Sequence, residues 1–293
     1  MPPDPQSVPS ARVTVPATPY PFEMDLATTA LVIIDMQRDF LLPGGFGAML
    51  GNDVTMLTRV IEPLSAVLDS ARAAGMMVIH TREGHRPDMA DCPPAKLARG
   101  HLDTPIGAEG PFGRVLIRGE EGHGIIEELA PIDGEIVLDK PGKGAFYATD
   151  LELLLRNAQI TSLVVTGVTT EVCVHTTVRD ANDRGFECLV LSDCVGSYFA
   201  EFQEVGLKMI AAQGGIFGWV APSQDLVAAV EASMPLSVVA DTDVRCRHTT
   251  SVHHAAAVDA RRPQRVLRAG HQHARQRPRA RRPVGGRRAD PRS

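Results

Sequence analysis

Six short runs of aliphatic and β-branched residues recur between residues 30 and 220, and segments with helical spacing lie between them. The runs are Ala30–Ile34, Met76–His80, Glu135–Leu138, Leu163–Thr166, Glu187–Leu191 and Gly215–Val220. Near-continuous apolar runs of this length predict strands covered on both faces, because a strand with one wet face alternates apolar and polar residues. Helical spacing falls at 56–74, 151–157, 171–184, 201–212 and 223–232. The alternation predicts an α/β fold, a doubly wound, mostly parallel six-stranded sheet with helices on both faces. Right-handed crossovers would line up the carboxyl ends of these strands along one edge, which is where such sheets place their ligands.

The flanks differ in character from this body. Residues 1–28 are rich in proline and predict an extended N-terminal arm. Residues 29–235 hold all six strands and fit one domain. From Asp241 to Ser293 there are 14 Arg, no Lys and 4 Asp, a net charge of +10 in a chain whose total is −5. The body is therefore acidic and offers no surface for nucleic acid or an anionic membrane. The segment 236–293 has no apolar periodicity and predicts a disordered tail. Its composition fits a GC-rich gene translated in a shifted frame better than a nucleic-acid arm, and no chemistry is assigned to it. Five cysteines (Cys92, Cys173, Cys188, Cys194, Cys246) form no CxxC pair, and an odd count suits a reducing compartment. No uncharged apolar run approaches the length of a membrane span, so the expected location is the cytoplasm.

The stretch SLVVTGVTTEVCVHTTVR, Ser162 to Arg179, joins a buried strand to a helix through Gly167. Thr169 and Thr170 are N-cap candidates, which puts Cys173 in the first helical turn at the carboxyl end of a strand. Free N–H groups and the helix dipole there favour a thiolate. A free cysteine also serves commonly as a small buried hydrophobe, and this stretch alone leaves both readings open.

Two further strand ends carry charge. LVIIDMQRDF ends in Asp35, and the doubly wound topology sets this strand beside the one ending at Thr166, so Asp35 and Cys173 meet across 138 residues. A carboxylate beside a thiol is a base for generating a nucleophile, although Asp35 is equally placed to cap a helix or pair with Arg38. EIVLDKPGKG brings Lys140 to the same edge, where a buried cation would hold Asp35 ionised and stabilise developing negative charge. Lys143 competes for that role. The PGKGAF loop lacks P-loop spacing, the first strand lacks GxGxxG, and no GxSxG is present, which discounts nucleotide binding and a serine hydrolase. His80, His85, Asp88 and Asp91 lie close in sequence without a strong ligand spacing, so no metal is expected. The Gly- and Pro-rich excursion from Thr81 to Glu135 predicts a lid or binding loop. Gln213, in AAQGGIFG, is either a substrate contact or a helix-end cap.

Asp35 after a buried strand, Lys140 after another and GVTTEVCV around Cys173 together resemble the isochorismatase-like cysteine hydrolases over roughly residues 22–232. The resemblance implies a catalytic set of Asp35, Lys140 and Cys173 and a cis peptide bond between Val168 and Thr169. It also implies an oxyanion hole from the N–H groups of Thr169 and Cys173. HTREGHRPDMAD, DKPGKGAFYATDLELLL, RDANDRGFECLVLSDC and KMIAAQGGIFG are most similar to members that hydrolyse biuret, which assigns Gln213 to the substrate. Phe40, just after the Asp35 strand, is taken as a second substrate contact. Relatives acting on triuret, N-carbamoylsarcosine, ureidoacrylate or maleamate share the catalytic set. The Asp-x-His metal motif of the nicotinamidases is missing from this sequence. The resemblance thus predicts a cofactor-free amidohydrolase for a small ureido compound, assembled as a homotetramer. The other reading of the same fold is a non-catalytic binding protein.

Overall fold

The computed structural model describes residues 11–98 and 104–234. The readings made of residues 1–10, of Cys246 and of the tail 236–293 lie outside the described residues. Strands β1 (Arg12–Val15) and β2 (Phe22–Asp25) form an antiparallel hairpin. The central sheet is built from β3 (Thr29–Ile34), β4 (Met77–Glu83), β5 (Ile136–Lys140), β6 (Ser162–Val168), β7 (Glu187–Gly196) and β8 (Trp219–Ala221). Its order is β8-β7-β6-β3-β4-β5, and every neighbouring pair is parallel. The topological switch point lies between β3 and β6, as the sequence predicts.

Helices α1 (Ile61–Ala73), α2 (Leu151–Asn157), α3 (His175–Asp183), α4 (Ala200–Gly215) and α5 (Ser223–Ser233) cover the sheet. Alternation along each buried strand feeds two separate cores. Leu31 and Ile33 of β3 pack with Leu64 and Leu68 of α1 and Leu226 of α5. Ala30, Val32 and Ile34 of the same strand pack instead with Leu151 and Leu155 of α2 and Val174 and Val178 around α3. Each fully buried aliphatic side chain contributes about 1.5–3 kcal/mol, so β3, buried at all six positions, anchors both layers.

The structure moves several boundaries. The proline-rich arm is extended as expected from residue 12, but it is paired, and Val13, Val15, Phe22 and Met24 join the first core. β4 continues three residues past His80, to Glu83, and β5 continues to Lys140. The last strand begins at Trp219 rather than Gly215, because Gln213 and Gly214 at φ 53° and 81° bend the end of α4. Gly167 at φ +100° has a direct cause: a Cβ there would lie 2.1 Å from the Ile34 carbonyl oxygen. Only glycine lets β6 pass this close to the end of β3.

The excursion after β4 folds back on the carboxyl edge of the sheet. His85 bridges to Ile117 and Gln37 to Ile125, while Val115, Leu116, Ile117 and Ile126 are buried. A one-turn helix, Pro94–Leu97, carries Lys96 toward the strand ends.

Candidate active site

Asp35 is the residue on which β3 stops. It sits at φ 52°, a left-handed conformation that Asp tolerates better than most side chains, and its N–H donates to the Thr81 carbonyl at 3.1 Å. Its carboxylate accepts from Thr81 Oγ1 at 2.8 Å and lies 2.7 Å from Lys140 Nζ. Both Asp35 and Lys140 are fully buried. Lys140 Nζ also donates to the carbonyls of Gly142 (3.0 Å) and Lys143 (2.9 Å), so the Gly-rich loop after β5 wraps the ammonium. That loop is tied to the cysteine segment through Thr177. The Thr177 hydroxyl accepts from the Ala145 N–H at 3.0 Å and donates to the Cys173 carbonyl at 2.7 Å.

Cys173 lies in a π-helical turn, Thr170–Val174, that leads into α3. The Val168–Thr169 peptide bond is cis, and the Thr169 carbonyl accepts the N–H groups of Val172 (3.1 Å) and Val174 (3.2 Å), which closes the turn. Thr169 is the N-cap by position but its side chain makes no capping hydrogen bond, while the Thr170 hydroxyl donates to Gln203.

A fourth residue, outside the sequence reading, completes the cluster. Glu83, the last residue of β4, is buried, and its Oε2 accepts from the Cys173 thiol at 3.5 Å. Atoms of Asp35, Glu83 and Cys173 all lie within 4.8 Å of one another. Three ammonium groups face Glu83: Lys143 at 2.8 Å, Lys96 at 2.9 Å and Lys140 at 3.8 Å. Lys140 occupies the cationic position of this cluster, which leaves Asp35, Glu83 and Cys173 unsuited to a metal ion despite their spacing. The signal for Glu83 was present in HTREGH, but the charged residues after His80 read as loop rather than as a strand's end.

Electrostatics divide the two carboxylates. Burial pushes the Asp35 carboxyl up despite the Lys140 ammonium beside it, so the expectation that Lys140 simply holds Asp35 ionised is corrected. Burial also acts on Glu83, but Lys140, Lys143 and Lys96 together outweigh it and hold this carboxylate at about 2. Burial drives the Cys173 thiol well above its ordinary range, against the pull of Lys140 and with the push of Asp35 and Glu83. The helix-start argument for a thiolate is therefore overridden: the resting group is a thiol. Burial works against the Lys140 ammonium, but the attraction of the carboxylates, Asp35 first and then Glu83, keeps it charged.

The remaining sequence candidates fall elsewhere. His80 pairs with Glu135 at 3.0 Å, His85 sits between Asp91 and Lys96, and Asp88 is exposed beside Arg86, so these four do not converge on one point. Asp39 is buried and accepts the Leu116 N–H at 2.9 Å, pinning the excursion. Phe40 is half-buried against the first core, and its carbonyl accepts from the Tyr198 hydroxyl at 2.7 Å. Gln213 is exposed in the turn entering β8, at the edge where the strands begin, whereas Asp35, Glu83 and Lys140 stand where strands end. Within one chain, Gln213 is not brought to the cluster.

The isochorismatase domain matches residues 29–225 of this chain. A ureidoacrylate amidohydrolase RutB of Methylorubrum extorquens is 35% identical over 234 residues, covering 77% of this chain and 92% of that protein. The protein of the same name from Klebsiella variicola is 31% identical and covers 77% and 97%. Among solved structures, a cysteine hydrolase from Pseudomonas syringae pv. phaseolicola matches with a TM-score of 0.62 at 26% identity, covering 78% of this chain and 100% of that one.

Proposed function

Because this chain belongs to the isochorismatase family of amidohydrolases, we propose that Cys173, Asp35 and Lys140 cleave a C–N bond of a small ureido compound through a cysteine thioester. The observation that carries this reading is a buried thiol, carboxylate and ammonium gathered at the switch point of a parallel sheet. Asp35, whose carboxyl burial pushes above the usual carboxylate range, accepts the thiol proton. The thiolate attacks the substrate carbonyl. The N–H groups of Thr169 and Cys173 hold the oxyanion, and Lys140 adds positive charge nearby. The C–N bond breaks as Asp35 returns the proton to the leaving nitrogen, and ammonia departs. Water attacks the thioester, giving one proton to Asp35; that proton returns to sulfur as the C–S bond breaks, and the carboxylic acid product leaves and loses its remaining proton to solvent.

Biuret, which would give allophanate and ammonia, is the substrate favoured by the motifs around His80, Lys140 and Gln213. The lysines near the thiol support it, since Lys140, Lys143 and Lys96 already face carboxylates, which suits an uncharged substrate. Ureidoacrylate is the second reading, because the relatives described above carry that activity in their names. Ammonia release should be measured on biuret, triuret, N-carbamoylsarcosine and ureidoacrylate. Biuret is expected to give the highest kcat/KM. A higher value for ureidoacrylate selects the second reading, and no release from any of the four overturns the amidohydrolase assignment.

One exposed apolar surface supports the assembly part of this reading. Among the described residues, Phe199, Phe202, Val205 and Met209 line one side of α4 and its N-cap, each 44–49% exposed. A row of large apolar side chains at helical spacing marks a contact surface. We assign it to the subunit contacts of a homotetramer. Phe202→Asp is expected to reduce the mass measured by light scattering to that of a smaller species, and an unchanged mass would refute this use of α4. No helix among the described residues is long and apolar enough to cross a membrane.

A further inference from the structure

We propose that Glu83 is a working residue of this site, which holds the Cys173 thiol in the resting state and then accepts an N–H of the ureido group under attack. The proposal rests on the amidohydrolase reading and adds the group that recognises the substrate's nitrogen.

Glu83 is built in rather than incidental. Its main chain is clamped by the Gln37 side chain, whose Oε1 accepts the Glu83 N–H at 2.7 Å and whose Nε2 donates to the Glu83 carbonyl at 3.0 Å. Gln37 is itself buried and also donates to the His123 carbonyl at 3.2 Å. The carboxylate's Oε1 is occupied by Lys96 and Lys143, which leaves Oε2 to face the sulfur. Lys96 is held in turn by His85 and by the Pro141 carbonyl, so the excursion and the lysine loop are both fastened to this carboxylate.

The surroundings dictate what Glu83 does. Three ammonium groups keep it ionised, so it takes no proton at neutral pH and acts as an acceptor only. Asp35, displaced in the opposite direction, is the proton carrier. Two carboxylates driven apart by their environments divide the labour between them. In the resting site the S–H points at Oε2, and the nearby negative charge opposes thiolate formation. A carbonyl carbon bonded to Sγ carries its nitrogen substituents close to that same oxygen. When the proton passes to Asp35, an N–H of the substrate replaces the S–H as the donor to Oε2. Amides and ureas satisfy this acceptor. Esters and ketones offer no donor and leave a buried carboxylate facing an anion.

The test reads the sulfur directly. Alkylation of Cys173 by iodoacetamide, followed by mass spectrometry of its peptide across pH, should show an inflection above the ordinary thiol range in the wild type. In Glu83→Gln the inflection should fall. Each unit of fall raises the thiolate fraction about tenfold and, after the accompanying loss of nucleophilicity, the rate at neutral pH about threefold. An unshifted inflection in folded Glu83→Gln overturns the proposal. Should that variant not fold, Glu83→Asp keeps the charge that Lys96 and Lys143 need while drawing the carboxylate back from sulfur. It should also lower the inflection, and an unchanged value overturns the proposal equally. On the substrate identified by ammonia release, kcat/KM of the Gln variant should fall about ten- to a hundredfold, the range of a hydrogen bond to a charged group. An unaltered kcat/KM removes the substrate contact. Because alkylation needs no substrate, a shifted inflection with no ammonia from any compound would disprove the amidohydrolase reading and leave the thiol contact standing.

Discussion

Cys173→Ser is expected to lower ammonia release by roughly 10⁴-fold or more while leaving the protein folded. Sulfur supplies both the nucleophile and a leaving group that returns from the thioester, and among the described residues a serine hydroxyl at this position has no imidazole in the cluster to activate it. The structural consequences of the exchange are small. The side chain stays near its former volume, and the new hydroxyl can still donate to Glu83 Oε2. A melting temperature within about 2–4 °C of the wild type, measured beside the activity, corresponds to roughly 1 kcal/mol in a domain of this size. A variant that melts normally and still turns over would remove the covalent mechanism.

Lys140→Met is expected to cost about 3–5 kcal/mol at neutral pH, because it strips the only fully buried cation among the described residues from between two buried carboxylates. That loss corresponds to a fall in melting temperature of roughly 6–20 °C. It should depend on pH with a definite sign. Without the ammonium, the burial that already pushes the Asp35 carboxyl upward is opposed only by the Thr81 hydroxyl, and the carboxyl rises further. A carboxyl raised in the folded state makes the fold most stable below its unfolded pKa, and stability is lost as pH rises through the folded value. The variant's deficit should therefore be smaller at pH 5 than at pH 8 in paired denaturant titrations. Glu83 works the other way. Held at about 2 in the wild type, it contributes stability above its usual 4.5 that is lost as pH falls toward 2, which sets the lower end of a useful titration. A deficit that grows on acidification would show that Asp35 is not the group left exposed to its own burial.

The strands were legible because buried strands write themselves as apolar runs, and β3, β6 and the first half of β7 read that way directly. The positions of Asp35 and Lys140 were legible for the same reason. A charge that interrupts such a run stands at its end, and the topology rule takes strand ends to one edge. Glu83 was not legible. Its strand continues through His80, Thr81 and Arg82, a polar stretch that composition assigns to a loop. What keeps β4 extended there is pairing with β5, Arg82 opposite Asp139 and Glu83 opposite Lys140. The hairpin β1–β2 was missed likewise, since prolines flank it and only packing against the first core orders it.

By itself, then, the sequence determined the order of strands and helices, the edge on which chemistry gathers, and three of the four side chains that meet there. The elements follow from local composition and periodicity, the edge from the topology rule, and the choice of Asp35, Lys140 and Cys173 from their places at strand ends together with the family resemblance. Only the tertiary structure decided the protonation of the site. Cys173 rests as a thiol although its place at a helix start favours a thiolate, and Glu83 is held more firmly ionised than Asp35 although both are buried carboxylates. Burial and charge pairing set those states, and they come from groups such as Lys96, Lys140 and Lys143 that the fold brings onto Glu83 from separate places in the chain.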